Sequence, residues 1–225
     1  MQRLLLKFNP ESALVFCNTK LAVGDVYRFL KEKGFAALAL HGDLDQKDRD
    51  QNLIRFANRS ATVMVATDVA ARGIDIEKLD VVVNFELSKD TEVHIHRSGR
   101  TGRAGETGVV WTLFDNSDKH RMDRLSDAMK TKFKDYSLPS TQVLKTAPPK
   151  PATVTIEING GKKQKLRAGD ILGSLTGDAG IAGTAVGKIK IFDKRAFVAV
   201  DRSVTKKALT GLQKIKGKSF KVRSL

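Results

Sequence analysis

Short continuous apolar runs alternate with amphipathic stretches over the first two thirds of the chain. The runs predict strands, and continuous apolar strands separated by helices are typical of a parallel sheet covered on both faces. The predicted strands are Ala13–Cys17, Ala36–Leu40, Thr62–Ala66, Val81–Phe85 and Val109–Phe114. The predicted helices are Leu21–Lys33, Gln46–Asn58, Thr91–Arg97 and Asp118–Lys132, and Gly34 is placed to end the first of these. The pattern therefore indicates an α/β fold.

The pattern changes near residue 150. The remaining elements follow the order β-α-β-β-α-β, which places two helices on one face of a four-stranded antiparallel sheet and leaves the other face free to bind a ligand. This predicts a second, smaller α+β domain. Its predicted strands are Val154–Asn159, Gly187–Phe192, Ala196–Asp201 and Ser219–Val222, and its predicted helices are Asp170–Leu175 and Thr205–Lys214.

A proline-rich segment separates the two patterns. Four of the five prolines fall between Pro139 and Pro151. Proline fixes φ and lacks an N–H donor, so such a segment favours a linker over a helix or strand. We therefore expect a domain over residues 1–145, a linker over 146–152 and a domain over 153–225.

Positive charge is concentrated behind that linker. The chain has 40 Lys and Arg against 25 Asp and Glu, a net charge of +15. Residues 1–150 hold 24 basic and 20 acidic residues, whereas residues 151–225 hold 16 and 5. Such an excess attracts polyanions, of which nucleic acid is the commonest in a cell, although an anionic membrane surface is an alternative.

Other features of composition favour a soluble cytoplasmic protein that does not enter a membrane. The single cysteine, Cys17, cannot form an internal disulfide. No apolar run approaches the ~20 residues that span a bilayer. The apolar stretch before Asn9-Pro10 is too short for a signal peptide.

The most specific motif is the segment His96–Gly105, which reads HRSGRTGRAG. It places Arg100 and Arg103 three residues apart, each beside a glycine. A guanidinium fork matches the oxygens of a phosphate, and in nucleotide hydrolases such an arginine raises the rate by roughly 10³–10⁵. Taken alone, the segment could also be a turn with solvated charges.

Three further polar loops follow predicted strands. They begin at Asn18, at His41 and at Thr67. Because the carboxyl ends of parallel strands meet at one edge of a sheet, these loops should line a single rim, which is where open α/β sheets bind ligands.

Over about residues 10–135 these four segments, in this order, resemble motif IV, the QxxR motif, motif V and motif VI of the DEAD-box RNA helicases. The resemblance implies a RecA-like second lobe. In it, Arg100 and Arg103 would be arginine fingers on ATP, with His96 coupling ATP to RNA, and Gly73 and Asp75 would lie at the nucleotide. The implied contacts to the RNA backbone are Thr19, Gly42, Gln46, Arg49, Thr67 and Asp68.

Two motifs of that family do not occur in this sequence. There is no G-x-x-x-x-G-K-[ST] phosphate loop and no DEAD tetrapeptide. In the family both belong to a first lobe, which would hold most of the Mg²⁺ that accompanies ATP. We therefore interpret the chain as a C-terminal fragment that needs the first lobe as a partner and is inactive as an ATPase by itself.

The second domain resembles a divergent RNA-recognition motif. Lys194–Val200 lies where that family has its RNP1 strand, and strand alternation places Phe197 on the open face as a candidate base-stacking ring. Thr155 and Arg195 stand where aromatic residues are usual, so basic residues are the alternative means of binding RNA. The candidates are Lys162, Lys163 and Lys165 in a flexible loop, together with Lys188, Lys190 and Arg195.

The combination of such a lobe with the segments GGKKQKLRAGDILGSLTGDAGIAG and VGKIKIF resembles the DbpA subfamily. That resemblance implies a monomeric ATP-dependent helicase. Its tail would bind a 23S rRNA hairpin near the peptidyl-transferase centre, during assembly of the large ribosomal subunit.

Several alternatives remain open from the sequence. The chain could be a non-catalytic RNA-binding protein or half of a DNA helicase. His94 and His96 could suggest a metal site, but no cluster of carboxylates or cysteines completes it. Cys17 could be a nucleophile, although an apolar strand favours a buried side chain. The carboxylates of Asp43–Asp50 could bind a cation or simply begin a solvated helix.

Overall fold

The computed structural model describes residues 1–72, 79–88, 90–101 and 108–225. The chain forms two compact units. The first comprises Met1–Asn52 and Ala61–Lys150, and the second comprises Leu53–Ser60 and Pro151–Leu225.

The first unit is built on a five-stranded sheet. Its strands are β1 (Ala13–Phe16), β2 (Ala37–Leu40), β3 (Val63–Ala66), β4 (Val81–Asn84) and β5 (Val109–Thr112), in the order β2-β3-β1-β4-β5. Every pairing is parallel, so the predicted parallel sheet is confirmed. The three central strands β1, β3 and β4 are buried along their whole length. This burial explains why their sequences are continuously apolar.

The α-helices of the described residues in this part of the chain are α1 (Gln2–Phe8), α2 (Lys20–Glu32), α3 (Gln46–Ala57), α4 (Asp68–Ala71), α5 (Thr91–Ser98) and α6 (Lys119–Met129). The end of α3, from Leu53 onward, belongs to the second unit. The Thr19 hydroxyl accepts a hydrogen bond from the Ala22 amide and caps α2. Gly34, at a φ of 84°, follows the end of α2, as its position in the sequence predicted. The helices α1 and α4 were not predicted, because each is too short for a clear amphipathic period.

The second unit contains a four-stranded antiparallel sheet. Its strands are β6 (Thr153–Ile158), β7 (Val186–Ile191), β8 (Ala196–Asp201) and β11 (Val222–Ser224), in the order β11-β6-β8-β7. Two short strands, β9 (Lys214–Ile215) and β10 (Lys218–Ser219), form a hairpin. The helices are α7 (Ala168–Gly173), which continues as a π-helical turn over Ser174–Asp178, and α8 (Thr205–Gly211).

The side chains of β8 that were predicted to face the helices do so. Ala196, Val198 and Val200 pack in one core cluster with Ile171 of α7 and Ala208 of α8. The prediction of the last strand was wrong in position. Lys216 and Gly217 both adopt positive φ, so the chain turns back there and pairs with β6 only from Val222 onward.

No helix in the described ranges is long and apolar enough to cross a membrane.

Candidate ATP and RNA interface

The carboxyl ends of three strands of the first unit meet at one edge of the sheet. Phe16 of β1 is level with Ala66 of β3 and with Asn84 of β4. The residues that follow, Asn18, Asp68 and Glu86, are therefore brought together although up to 68 residues separate them in the chain.

Arg97, on α5, connects all three strand ends. Its Nε and Nη2 donate to the two carboxylate oxygens of Asp68, over 2.6 and 2.7 Å. Nη2 also donates to Asn18 Oδ1 over 2.9 Å, and Nη1 donates to the Glu86 carbonyl over 3.0 Å. The guanidinium carbon lies 5.2 Å from the centre of the Phe16 ring.

This guanidinium is almost fully buried, because only 2 % of Arg97 is exposed. A buried charge that lacks partners costs several kcal/mol. Arg97 makes four hydrogen bonds, with at least one from each guanidinium nitrogen, so it is a fixed structural part. The sequence patterns assigned no role to Arg97. The available signal was its position directly after His96 and one helical turn before Arg100.

Arg100 and His96 lie beside this network. Together with Asp68, Arg72 and Arg97 they line a small cavity of about 40 Å³. His96 is exposed and Arg100 is half-buried, and the described residues give the Arg100 side chain no hydrogen bond or ion pair. Because Asp68 pairs with Arg97, the positive charges left for a ligand in this space are those of Arg72 and Arg100. Two guanidinium groups around a space of this size suit a phosphate group, and the space is too small for a whole nucleotide. Of the other nucleotide candidates, Gly73, Asp75 and Arg103 lie outside the described residues.

The predicted RNA-contact residues of the first unit divide into two groups. Thr19, Gly42 and Gln46 are exposed, and among the described residues the Gln46 amide donates to Asp50, within α3. Arg49 and Asp68 instead make internal contacts, since Arg49 Nη2 donates to the Ala70 carbonyl over 2.7 Å.

Thr67 precedes α4 and is half-buried. Thr67 and Asp68 follow β3 directly, at the same strand end. The three loops predicted to share a rim therefore follow β1, β2 and β3, which are neighbouring parallel strands. Lys20 and Asp43 link two of these loops through an ion pair of 2.8 Å. The hydrogen bond from Lys20 lowers the pKa of the Asp43 carboxyl.

Cys17 is a buried side chain, as expected for an apolar strand end. It is fully buried, and burial raises the pKa of its thiol to about 12, with a contribution from the Glu86 charge. Such a thiol stays protonated at neutral pH and is a poor nucleophile. Within the described ranges no group of three or more His, Cys, Asp or Glu side chains is arranged to hold a metal ion.

The candidate RNA-binding lysines of the second unit lie on a firmly held turn. Lys162–Gln164 form a 3-10 turn rather than the flexible loop that the sequence suggested. The amides of Lys162 and Lys163 donate to the carbonyls of Phe192 and Asp193, both over 2.9 Å. A Cβ atom on Gly161 would overlap the Phe192 carbonyl oxygen, which explains why the turn needs glycine there. Lys162, Lys163 and Lys165 are exposed.

Other basic residues of this unit differ in how far internal contacts restrain them. Lys188 and Lys190 are exposed on β7. Lys207 donates to the Gly180 carbonyl over 3.0 Å, and Lys216 pairs with Asp170 over 2.6 Å. The hydrogen bond from Lys216 lowers the pKa of the Asp170 carboxyl.

The expectation of an exposed stacking ring at Phe197 was wrong. Phe197 lies on the predicted face but is fully buried. Its ring packs edge-on against Phe192, 5.8 Å away, and the Arg195 guanidinium lies 5.6 Å from its centre. On the same face, Thr155 is hydrogen-bonded to Asn58 and Ser60, which belong to this unit. The face is therefore covered.

Arg195 is also held internally. Its Nη1 lies 3.7 Å from the carboxylate of Glu157, which is 6 % exposed and pairs with Arg223 over 2.6 Å. A pattern of strand alternation specifies the face of a side chain but not what covers that face, and this is why the sequence placed Phe197 and Arg195 in an open site.

Comparison with known proteins agrees with this division. The helicase conserved C-terminal domain family matches residues 1–105, and the DbpA RNA binding domain family matches residues 155–224. The ATP-dependent RNA helicase DbpA of Escherichia coli is 49% identical over 100% of this chain and 49% of its own length. The protein of the same name from Bacillus subtilis is 29% identical over 99% of this chain and 51% of its own length.

Solved structures give the same result for the fold. A DEAD box protein from Methanococcus jannaschii superimposes with a TM-score of 0.55 and 34% identity, over 60% of this chain and 38% of that one. The Escherichia coli DEAD-box protein SrmB, solved bound to regulator of ribonuclease activity A, gives 0.54 and 29%, over 65% of this chain and 88% of that one.

The parallel sheet and its rim are thus the RecA-like C-terminal lobe of a DEAD-box helicase. The chain belongs to the DbpA-type DEAD-box RNA helicases, with a DbpA RNA-binding domain following that lobe. It spans about half the length of the curated relatives it matches.

Proposed function

We infer that this chain supplies one wall of the nucleotide site of an ATP-dependent RNA helicase and the module that attaches the enzyme to its RNA. The observation that carries the proposal is the position of Arg100 beside the buried Arg97–Asp68 pair. A half-buried guanidinium with no described partner, held by a rigid neighbour, is suited to a phosphate that another domain delivers.

In this proposal the first RecA-like lobe contributes the phosphate loop and the acidic pair for Mg²⁺. ATP would bring the two lobes together, and Arg100 would stabilise the negative charge that develops as the terminal phosphate is transferred. Arg97 acts as a positioning residue, because it fixes α5 against the strand ends. Thr19, Gly42 and Gln46 would contact the RNA backbone, which carries no sequence information.

The second unit would then choose the RNA. Its basic turn presents three exposed lysines on a fixed backbone, and the names of the related proteins support an RNA ligand. We propose that this ligand is a 23S rRNA hairpin of the large-subunit precursor. Attachment at this hairpin would raise the local concentration of the helicase lobes around the RNA duplexes next to it.

The catalytic half of the proposal is tested by fusing this chain to the N-terminal half of the Escherichia coli relative. The fusion should hydrolyse ATP in the presence of RNA, and Arg100→Ala should lower kcat by about 10³-fold or more. The matched control is Arg28→Ala, because Arg28 is an exposed arginine whose ion pair is with Asp25, on the same helix α2. A folded but inactive fusion, or full activity in Arg100→Ala, would favour a non-catalytic RNA-binding protein.

The RNA half is tested on the chain as it stands. Lys162→Ala combined with Lys163→Ala should weaken binding to the 23S hairpin and reduce the slope of log K against log salt by roughly 1–2. Lys31→Ala with Lys33→Ala removes the same charge from exposed positions at the end of α2 and should leave the slope unchanged. Equal affinity for an unrelated hairpin of the same length would contradict the 23S assignment, and stronger binding to a DNA hairpin would contradict RNA specificity.

A further inference from the structure

A second group of lysines lies beside the basic turn of the second unit, on the hairpin formed by β9 and β10. The hairpin reverses at Lys216 and Gly217, and Lys218 begins its return strand. The Lys218 Nζ lies 3.5 Å from the carbonyl oxygen of Gln164, a residue of the basic turn 54 positions earlier in the chain. Lys216 pairs with Asp170, which lies just beyond the turn. The fold therefore places the hairpin next to the turn.

Contacts of the main chain and of one ring hold the hairpin in this position. The Phe220 ring lies so close to Gly160 that no Cβ atom would fit between them. The Phe220 amide donates to the Gln213 carbonyl over 2.8 Å, which closes the hairpin at its base. The Asn159 amide donates to the Lys221 carbonyl over 2.9 Å. Because both segments are fixed at their backbones, their lysines form one surface.

This surface carries almost no negative charge. Residues 159–169, which include the turn, contain four Lys or Arg and no Asp or Glu. Residues 213–225, which include the hairpin, contain five Lys or Arg and no Asp or Glu. The carboxylate that borders them, Asp170, is paired with Lys216 over 2.6 Å. Such a surface attracts the phosphates of a nucleic acid.

The second unit offers RNA charge rather than exposed rings. Residues 151–225 contain no Trp or Tyr and three phenylalanines. Of these, Phe197 is buried and both Phe192 and Phe220 are half-buried. Proteins that bind unpaired bases usually stack them on exposed aromatic rings. The hairpin is therefore suited to the phosphate backbone of an RNA rather than to its bases.

We propose that the β9–β10 hairpin is a second part of the RNA-binding surface, in which Lys216 and Lys218 contact the phosphate backbone of the RNA bound by the basic turn. The inference rests on the proposed function, because it assumes that the turn binds RNA. An ammonium group has three donors, and the Lys216 side chain is 70% exposed, so its pairing with Asp170 leaves donors for a phosphate. Phosphate contacts carry no base information, so the hairpin adds affinity without selecting a sequence.

The test removes these two charges without straining the hairpin. Lys216 has a φ of 50°, in the left-handed region that glycine adopts more easily than lysine, so Lys216→Gly fits the turn. Lys218→Gln keeps a polar side chain on the exposed strand. In the intact chain, the double variant should bind the 23S hairpin about tenfold more weakly and reduce the slope of log K against log salt by roughly 1–2. Its affinity for an unrelated hairpin of the same length should fall by the same factor.

The matched control is Lys130→Gly combined with Lys132→Gln. Lys130 also has a left-handed backbone, with a φ of 48°, and both lysines are exposed in the first unit. The control makes the same two substitutions at the same spacing and removes the same charge. Its affinity for RNA and its salt slope should stay within twofold of the wild-type values. Circular dichroism on both variants establishes that they are folded before they are titrated.

The outcomes separate this inference from the proposed function. Wild-type affinity and slope in the hairpin variant, with a loss in Lys162→Ala plus Lys163→Ala, would overturn the role of the hairpin and leave the basic turn as the RNA site. Wild-type binding in both variants would overturn the proposed RNA site itself. A loss of affinity for the 23S hairpin alone would contradict a contact made only to phosphates. An equal loss in the control would show that net charge, and not this surface, determines the affinity.

Discussion

The two basic regions of this protein hold their positive charge in opposite ways. At the rim of the first unit, Arg97 is buried and donates hydrogen bonds to Asp68, to Asn18 and to the Glu86 carbonyl. On the turn of the second unit, Lys162 and Lys163 are exposed, and it is their backbone amides that are fixed. One region fixes a charged side chain, whereas the other fixes the main chain and leaves the charges in water.

This difference fits two kinds of phosphate recognition. A transferring phosphate needs one donor at a defined place, which requires a rigid neighbour. A polyanionic backbone needs many charges at approximate places, and attraction to it is long-range and sensitive to salt. At the rim, the burial of Arg97 therefore indicates a fixed site for a single phosphate. On the turn, the exposure of the lysines indicates attraction to a polyanionic backbone.

The largest effect that tests this comparison is expected at the buried arginine. Arg97→Ala should lower the free energy of unfolding of the first unit by about 3–5 kcal/mol, because it leaves the Asp68 carboxylate and the Asn18 amide without their partner. Arg28→Ala should cost less than about 1 kcal/mol, since its ion pair is exposed. Urea unfolding followed by Trp111 fluorescence measures both. Similar losses in the two variants would mean that Arg97 is no more fixed than a surface residue.

A second test uses the pH dependence of the same interior. Burial, reinforced by the Arg97 charge, lowers the pKa of His94 from 6.5 to about 4. Between pH 6.5 and about pH 4, His94 binds a proton in the unfolded chain but stays neutral in the folded chain. The free energy of unfolding therefore falls as the pH falls through this range. The loss attributable to His94 approaches about 3 kcal/mol near pH 4.

His94→Gln should remove that part of the pH dependence, whereas His120→Gln, at an exposed position, should not. The measurement is the free energy of unfolding of each variant across this range. Identical slopes for the wild type and His94→Gln would show that His94 is not kept neutral by burial.

A smaller effect is expected on the basic turn. Gly161→Ala should destabilise the second unit by about 2 kcal/mol, because the new methyl group meets a backbone carbonyl that cannot move easily. Gly169→Ala, in α7 with open space around it, should be neutral or stabilising by up to about 1 kcal/mol. Hydrogen exchange of the Lys162 and Lys163 amides would show whether the turn is released. Unchanged protection in Gly161→Ala would contradict the view that the main chain holds these lysines.

Local sequence patterns predicted most of the helices and strands and their order, but not the short helices α1 and α4 or the position of β11. Continuous apolar runs predicted all five parallel strands. For the three central strands, β1, β3 and β4, the reason is burial along their whole length, which favours apolar residues at nearly every position. Glycine after α2 marked the end of that helix through backbone geometry alone. The HRSGRTGRAG segment singled out Arg100 through the resemblance to a family, and in the structure Arg100 lines the same small cavity as Asp68.

Only the tertiary structure decided which side chains are free to bind. Arg97 looked like one of several arginines until three strand ends, far apart in sequence, converged on it. Phe197 and Arg195 looked available until Phe192, Glu157 and the Thr155 contacts covered their face. Period and propensity act over a few residues and specify a direction. Burial and partnership depend on residues that the chain brings together from a distance, and no local pattern records them.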